Sequence, residues 1–222
     1  AALLLDGGDI QAVRLKHDLP NYGVFDEKRL FVPGPLPGPA AFRDVRLGVM
    51  ICEDMWFPEV AECLQESGAQ ILVVINGSPF ETDKPDQRLN PAVARITETG
   101  LPLIYVNLVG GQDGLVFDGA SFVLGADNRL LAKARAWTED LLITKWTQDS
   151  DGWACAEGGI ATEPKGDEAI YRALVLGLRD YVGKNAFPGV LIGLSGGIDS
   201  ALTAIVATDA LGPSKVHCIV MP

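Results

Sequence analysis

Cys52 stands at the end of an apolar run, "VRLGVMIC", and is followed at once by "EDMWFP". A thiol at the exit of a buried strand is held rigidly, which suits a nucleophile and equally suits an inert core cysteine. The two acids that follow favour the nucleophile, because a strand buried among apolar residues has no structural need for them. Such a thiol must lose its proton to a base or sit beside a cation. The chain holds two histidines, His17 and His217. His217 belongs to a later unit, and His17 neighbours Lys16, so on a strand the two point to opposite faces. Lys16, in "RLKHDLPNYGVFDEKRLF", is the better partner. Its ammonium would stabilise both a thiolate and the oxyanion of a tetrahedral intermediate. A solvated strand lysine is the ordinary alternative.

A second constellation lies in "LIGLSGGIDSA". Gly193, Gly196 and Gly197 let the backbone approach an anion closely, and a helix beginning near Asp199 offers unpaired N–H groups to it. Ser195 and Ser200 add hydroxyl donors. Asp199 would repel a phosphate unless Mg²⁺ lay between them, so a magnesium pyrophosphate is the natural guest and Asp199 the metal ligand. The loop lacks the lysine of a Walker A sequence. A tight turn capped by serine or aspartate is the competing reading.

These residues need elements to hold them. "AALLL" and "IQAVRLK" flank "DGGD", a hairpin signal that puts Lys16 on the second strand. "VRLGVMIC", "QILVVING" and "LPLIYVNLVG" read as buried strands. Between them come helices in "EVAECLQESG", with Pro58 at its start, and "PAVARITETG", with Pro91 in its first turn. "GLVFDGASFVLGADNRLLAKA" reads as two strands about an "ADNR" turn, and "DLLITKW" as the last strand. Alternating strand and helix implies an α/β fold with a parallel sheet. The stretch 147–166 then loses periodicity and has linker composition. Beyond it, Ile170, Leu174, Leu178 and Tyr181 share a helix face, and "GVLIGL", "IDSALTAIVATDALG" and "KVHCIVM" open a βαβ unit.

Of the 222 residues, 48% are hydrophobic and 21% charged, which is ordinary for a globular chain. The net charge of -11 argues against a nucleic-acid partner. No apolar run is long enough to span a bilayer. The four cysteines show no zinc-ligand spacing, so free thiols in a cytoplasmic setting are expected.

"SGGIDS" resembles the PP-loop of ATP pyrophosphatases, which adenylate a carboxylate or carbonyl and release pyrophosphate. "KHDLPNY" and "ICEDMWFP" resemble the lysine and nucleophile motifs of the nitrilase superfamily, an αββα sandwich with a Glu–Lys–Cys triad. That likeness implies Lys16 and Cys52 as catalytic residues, with Glu27 a further glutamate near the site. The triad's general base lies in an earlier segment of the family with no counterpart here. The two motifs together, with "PNYGVFDEKRLF" and "GQDGLVFDGASF", resemble the glutamine-dependent NAD synthetase family over nearly the whole chain. The resemblance implies a nitrilase-like unit over 1–146, a linker over 147–166, and the start of a Rossmann-like PP-loop unit over 167–222, together an internal part of a longer enzyme. It further implies glutamine hydrolysis feeding ammonia to ATP- and Mg²⁺-dependent amidation of deamido-NAD. Tyr22, Glu53, Trp56 and Ser78 would line the glutamine pocket, with Lys84 or Arg88 for the substrate carboxylate. Gly193, Ser195, Gly196, Gly197, Asp199 and Ser200 would bind ATP. Small-molecule substrates and a homo-oligomer are the implied partners. A stand-alone amidase and a nucleotide-binding chain without turnover are the alternatives.

Overall fold

A computed structural model describes residues 1–82, 84–150 and 152–220, with the side chains of 84–86 outside the description. The chain opens with an antiparallel hairpin, β1 (Ala2–Asp6) and β2 (Asp9–Arg14). Gly7 and Gly8 make its turn at φ +62° and +89°, angles open to residues without a Cβ. β2 stops at Arg14, so Lys16 follows the strand instead of lying on it.

The main layer comes next. β3 (Ala40–Phe42) runs antiparallel to β4 (Val45–Ile51), and β4, β5 (Ile71–Asn76) and β6 (Leu103–Asn107) are parallel. The crossovers are α1 (Pro58–Glu66) and α2 (Lys84–Thr99). Pro58 sits in the first turn of α1, where its missing N–H costs nothing. Pro91, by contrast, lies inside α2, which starts seven residues before it. The sequence reading placed the start at Pro91 because proline usually opens a helix. Here the earlier turn is held by Arg88, whose guanidinium is buried.

The apolar run after Pro102 also divides. β6 ends at Asn107, and β7 (Val109–Gln112) pairs with β8 (Leu115–Asp118) in a separate hairpin. β9 (Phe122–Leu124) and β10 (Leu130–Lys133) then return to complete a six-stranded sheet, ordered β10-β9-β6-β5-β4-β3. Three strands therefore stand where two were expected, because Gly119 and Ala120 both take positive φ and break the run. Leu141–Lys145 forms no strand. Leu141 and Ile143 are exposed, and the chain pairs only afterwards, as β11 (Trp146–Asp149) with β12 (Gly152–Cys155). Apart from Trp146, that hairpin falls inside the stretch 147–166 read as linker.

Period-two alternation sends Met50, Leu72, Val74, Leu103, Tyr105, Phe122 and Leu124 to one face of the sheet. There they meet Val60, Ala61 and Leu64 of α1 and Ala92 and Ile96 of α2. These residues build one α layer and one β layer of an α/β unit.

The second unit begins with α3 (Asp167–Lys184) and continues as β13 (Val190–Leu194), α4 (Ile198–Leu211) and β14 (Val216–Val220), with β13 and β14 parallel. α3 does not bury the face marked by Ile170, Leu174 and Tyr181, which are exposed. It buries Ala169 and Leu176 against Trp137, Val109 and Val116. Small residues decide the choice. A Cβ on Gly111 would lie 3.0 Å from Gly177 Cα, so α3 meets the β7–β8 hairpin backbone to backbone. The Gly111 N–H donates to Asp180 Oδ2 (2.7 Å), and Lys184 Nζ donates to the Gly111 carbonyl (2.5 Å). Gly111→Val is expected to cost about 1–3 kcal/mol of docking through overpacking. Amide exchange across 167–184 should quicken while β4–β6 stays unchanged, and unaltered exchange in α3 would refute the contact's importance.

Candidate active site

One residue past β4 the backbone turns sharply. Cys52 has φ +53°, a region in which a side chain with a Cβ is strained. Such a conformation costs roughly 1–3 kcal/mol and persists only where its surroundings hold it. Here they do. Cys52–Met55 forms a 3-10 turn in which Trp56 N–H donates to Glu53 O (2.8 Å) and Asp54 Oδ2 accepts the Ile51 N–H (2.9 Å). From α2, buried Arg95 donates to the Met55 carbonyl (3.3 Å).

The lysine segment packs against this turn. Lys16 Nζ lies 2.7 Å from both oxygens of Glu27, and the pair is mostly buried, with side chains 13% and 27% exposed. Bonds within the loop, from Glu27 N–H to Pro20 O (3.2 Å) and Phe31 N–H to Glu27 O (2.8 Å), bring Glu27 back toward Lys16. His17 turns elsewhere: its Nδ1 donates to the Gly34 carbonyl (2.7 Å), although the segment is not a strand and the opposite-face argument does not apply to it. Lys16, Glu27 and Glu53 all act electrostatically on Cys52. Burial pushes the thiol up, opposed by the Lys16 charge and a backbone hydrogen bond from Gly77, while Glu53 and Glu27 push it further up. The resting thiol therefore holds its proton, and attack needs an acceptor for it.

Glu53 is buried, and its carboxyl is raised by that burial; Tyr22 and Lys16 pull it down. The Tyr22 hydroxyl donates to both Glu53 oxygens (3.0 and 2.9 Å). Burial and the Glu53 carboxylate push Tyr22 up to about 12, so it stays a donor. Trp56 is partly exposed on the same turn.

Ser78 follows β5 and is buried. Arg88 fixes it, donating from Nε to Ser78 Oγ (3.1 Å) and from Nη2 to the carbonyls of Ser78 (2.9 Å) and Pro79 (3.1 Å). Its Nη1 bonds Asp118 Oδ2 at 2.8 Å. Asn107 Oδ1 accepts the Ser78 N–H (3.0 Å). Arg88 is thus committed to holding the Ser78 loop and bears on the site through Ser78, instead of standing free for a substrate carboxylate. The Lys84 side chain lies outside the described residues. Sequence reasoning assigned no chemistry to Asp118 and gave Asp54 no role of its own. Their only signals were an acid inside the apolar "LVFDGASF" and a second acid after Cys52.

In the second unit, Gly193, Ser195, Gly196, Gly197 and Asp199 are exposed, and Gly196 takes φ +84°. α4 begins at Ile198 with no side chain capping it at Gly197. The Ser195 N–H and Ser200 Oγ meet at 3.3 Å, the two hydroxyls at 3.2 Å, and Ser200 Oγ donates to Gly197 O (2.9 Å). The serines thus shape the loop and leave the first amides of α4 without a side-chain partner at the cap. Among the described residues no group of three His, Cys, Asp or Glu could hold a metal, and no helix is long and apolar enough to cross a membrane.

The carbon–nitrogen hydrolase family model matches residues 1–153, and the NAD synthase model matches 170–222. A glutamine-dependent NAD(+) synthetase of Rhodobacter capsulatus is 47% identical over 99% of this chain and 40% of its own length. One from Acinetobacter baylyi is 37% identical over 100% of this chain and 41% of its own length. The chain thus spans about two fifths of the length of these curated relatives. The solved structure of glutamine-dependent NAD+ synthetase from Acinetobacter baumannii, in complex with adenosine diphosphate, aligns with a TM-score of 0.91 at 39% identity, over 99% of this chain and 41% of that one. A carbon–nitrogen hydrolase from Helicobacter pylori G27 aligns over 58% of this chain and 50% of its own, at 34% identity and a TM-score of 0.51. The chain belongs to the carbon–nitrogen hydrolase family, in the arrangement that joins the hydrolase to an NAD synthase unit.

Proposed function

We propose that the protein is a glutamine-hydrolysing NAD synthase, in which ammonia released at Cys52 amidates ATP-activated deamido-NAD and leaves AMP and pyrophosphate. The observation that carries this reading is a strained, half-buried thiol beside the Lys16–Glu27 pair, in one chain with an uncapped glycine loop. Cys52 attacks the glutamine amide carbon, the thiol proton passes to the departing nitrogen, and ammonia leaves as a thioester forms; water then hydrolyses the thioester to glutamate and frees the thiol. Lys16 faces the charge on the thiolate and then on the oxyanion, and Glu27 holds Lys16 in place. Tyr22, Glu53, Trp56 and Ser78 line the glutamine side, with Tyr22 fixing Glu53 and Arg88 fixing Ser78.

In the second unit the amides and hydroxyls of Gly193, Ser195, Gly196, Gly197 and Ser200 suit the pyrophosphate of ATP. Asp199 is a single exposed carboxylate, which suits a Mg²⁺ that takes its other ligands from phosphates and water. Bound there, the ion would neutralise charge on the departing pyrophosphate.

The test supplies the full-length protein with glutamine carrying heavy nitrogen in its side-chain amide, with ATP, Mg²⁺ and deamido-NAD. NAD carrying the heavy nitrogen is the expected product by mass spectrometry. Glutamate without heavy NAD would leave a plain amidase and refute the coupling. No glutamate at all would refute the hydrolytic role of this centre.

A further inference from the structure

Asp54 is 1% exposed, and its carboxylate is shared between two segments distant in sequence. Oδ1 accepts the N–H groups of His17 (3.0 Å) and Asp18 (2.8 Å), while Oδ2 accepts that of Ile51 (2.9 Å). The Ile51 bond is ordinary for the third position of a helical turn, whose first amides lack partners. The Oδ1 pair is not, since nothing in that turn requires the lysine segment. One carboxylate therefore grips the peptide immediately after Lys16 and a peptide just ahead of Cys52. The rest of Lys16 is fixed independently, its carbonyl by the Gly34 N–H (2.8 Å) and its ammonium by Glu27.

We propose that Asp54 is a positioning residue that sets the spacing between the Lys16 ammonium and the Cys52 sulfur, through the peptide N–H groups on either side. It touches neither the substrate nor the reacting atoms. The inference rests on the roles proposed above for Cys52 and Lys16. It carries a specific consequence: the part of Asp54 that tunes the Cys52 thiol, as distinct from its brace on the turn at Ile51, acts only while residue 16 bears a charge. The other groups bearing on Cys52, Glu53 and Glu27, are held by Tyr22 and Lys16 respectively, so neither duplicates the clamp.

The experiment follows the rate at which iodoacetamide alkylates Cys52 across pH in the full-length protein, with peptide mass spectrometry separating the free cysteines. It needs no glutamine. Asp54→Asn should alkylate about tenfold more slowly at neutral pH, as a one-unit rise in the thiol pKa implies. Glutamine turnover should fall in kcat with KM little changed, and buried Cys155 should stay unlabelled. Lys16→Gln should slow Cys52 alkylation comparably, and adding Asp54→Asn to it should change nothing further. An unchanged profile in Asp54→Asn, or full additivity of the two substitutions, overturns the proposal. Labelling of Cys155 in both Asp54→Asn and Asp54→Ser would make Asp54 a folding element and overturn it as well. A wild-type protein that fails to hydrolyse glutamine refutes the glutaminase reading, while the double-variant comparison still decides the clamp.

Discussion

Cys52→Ala is expected to remove glutamine hydrolysis by at least about 10⁴-fold, because the covalent route through a thioester disappears with the nucleophile. Lys16→Gln should cost roughly 10²–10³-fold, the loss typical of removing one oxyanion-stabilising donor. Both losses should fall on kcat. In the proposed mechanism the thiol and the ammonium act on the reacting carbon and its oxygen, whereas Tyr22, Glu53 and Ser78 meet the parts of the substrate that do not change. The measurement is glutamate release under saturating glutamine, followed by KM for each variant. Neither change should unfold the protein, since alanine is smaller than cysteine and glutamine preserves most of the lysine stem. Lys16→Gln does, however, leave Glu27 without its partner at a site where its side chain is only 27% exposed. Melting curves for both variants should therefore accompany the rates. A Lys16→Gln enzyme that keeps wild-type kcat would refute the electrostatic role and point to a different cation.

Asp118→Ala is expected to destabilise the fold by about 3–5 kcal/mol, which a urea melt would measure directly. Arg88 and Asp118 have side chains 5% and 1% exposed, so deleting the carboxylate strands a buried guanidinium. Its bonds to Ser78 and Pro79 satisfy three donor contacts and cancel no charge. Replacing the whole pair with apolar residues should cost less than removing Asp118 alone, since unpaired charge is the larger penalty. The Ser78 loop should also loosen, because Arg88 would be free to move toward water. A loss under about 1 kcal/mol would be the value for an exposed ion pair, and would mean that the site opens to solvent.

The parts of this molecule legible in sequence are those where local pattern and tertiary role coincide. The Gly7–Gly8 turn, Pro58 at the start of α1 and the strand ending just before Cys52 each follow from one residue's backbone preference or from alternation. The matching of Lys16 with Cys52 was legible from the chemistry that a thiol requires. What escaped depends on partners remote in the chain. α2 begins before Pro91 because Arg88 is held by Asp118, thirty residues on. α3 docks its alanine and glycine side because Gly111, far upstream, offers a surface close enough only for small residues. The hydrophobic face through Ile170 and Leu174 looked stronger by pattern, yet its bulk would have kept the helix off the hairpin. Leu141 and Ile143 show the same limit from the other side: an apolar run with no neighbouring strand to bond remains irregular. Asp54 and Asp118 were invisible for a related reason. A buried acid looks like any other acid until its donors are known.

The left-handed backbone at Cys52 sets two selective pressures against each other at one codon. Glycine would adopt that conformation without strain, so it would favour the fold while removing the proposed nucleophile. A change to glycine at position 52 would therefore relieve strain and, on the proposed mechanism, abolish turnover in the same step. The residues that brace the turn, Asp54 and Arg95 among them, inherit part of that constraint without taking part in the reaction.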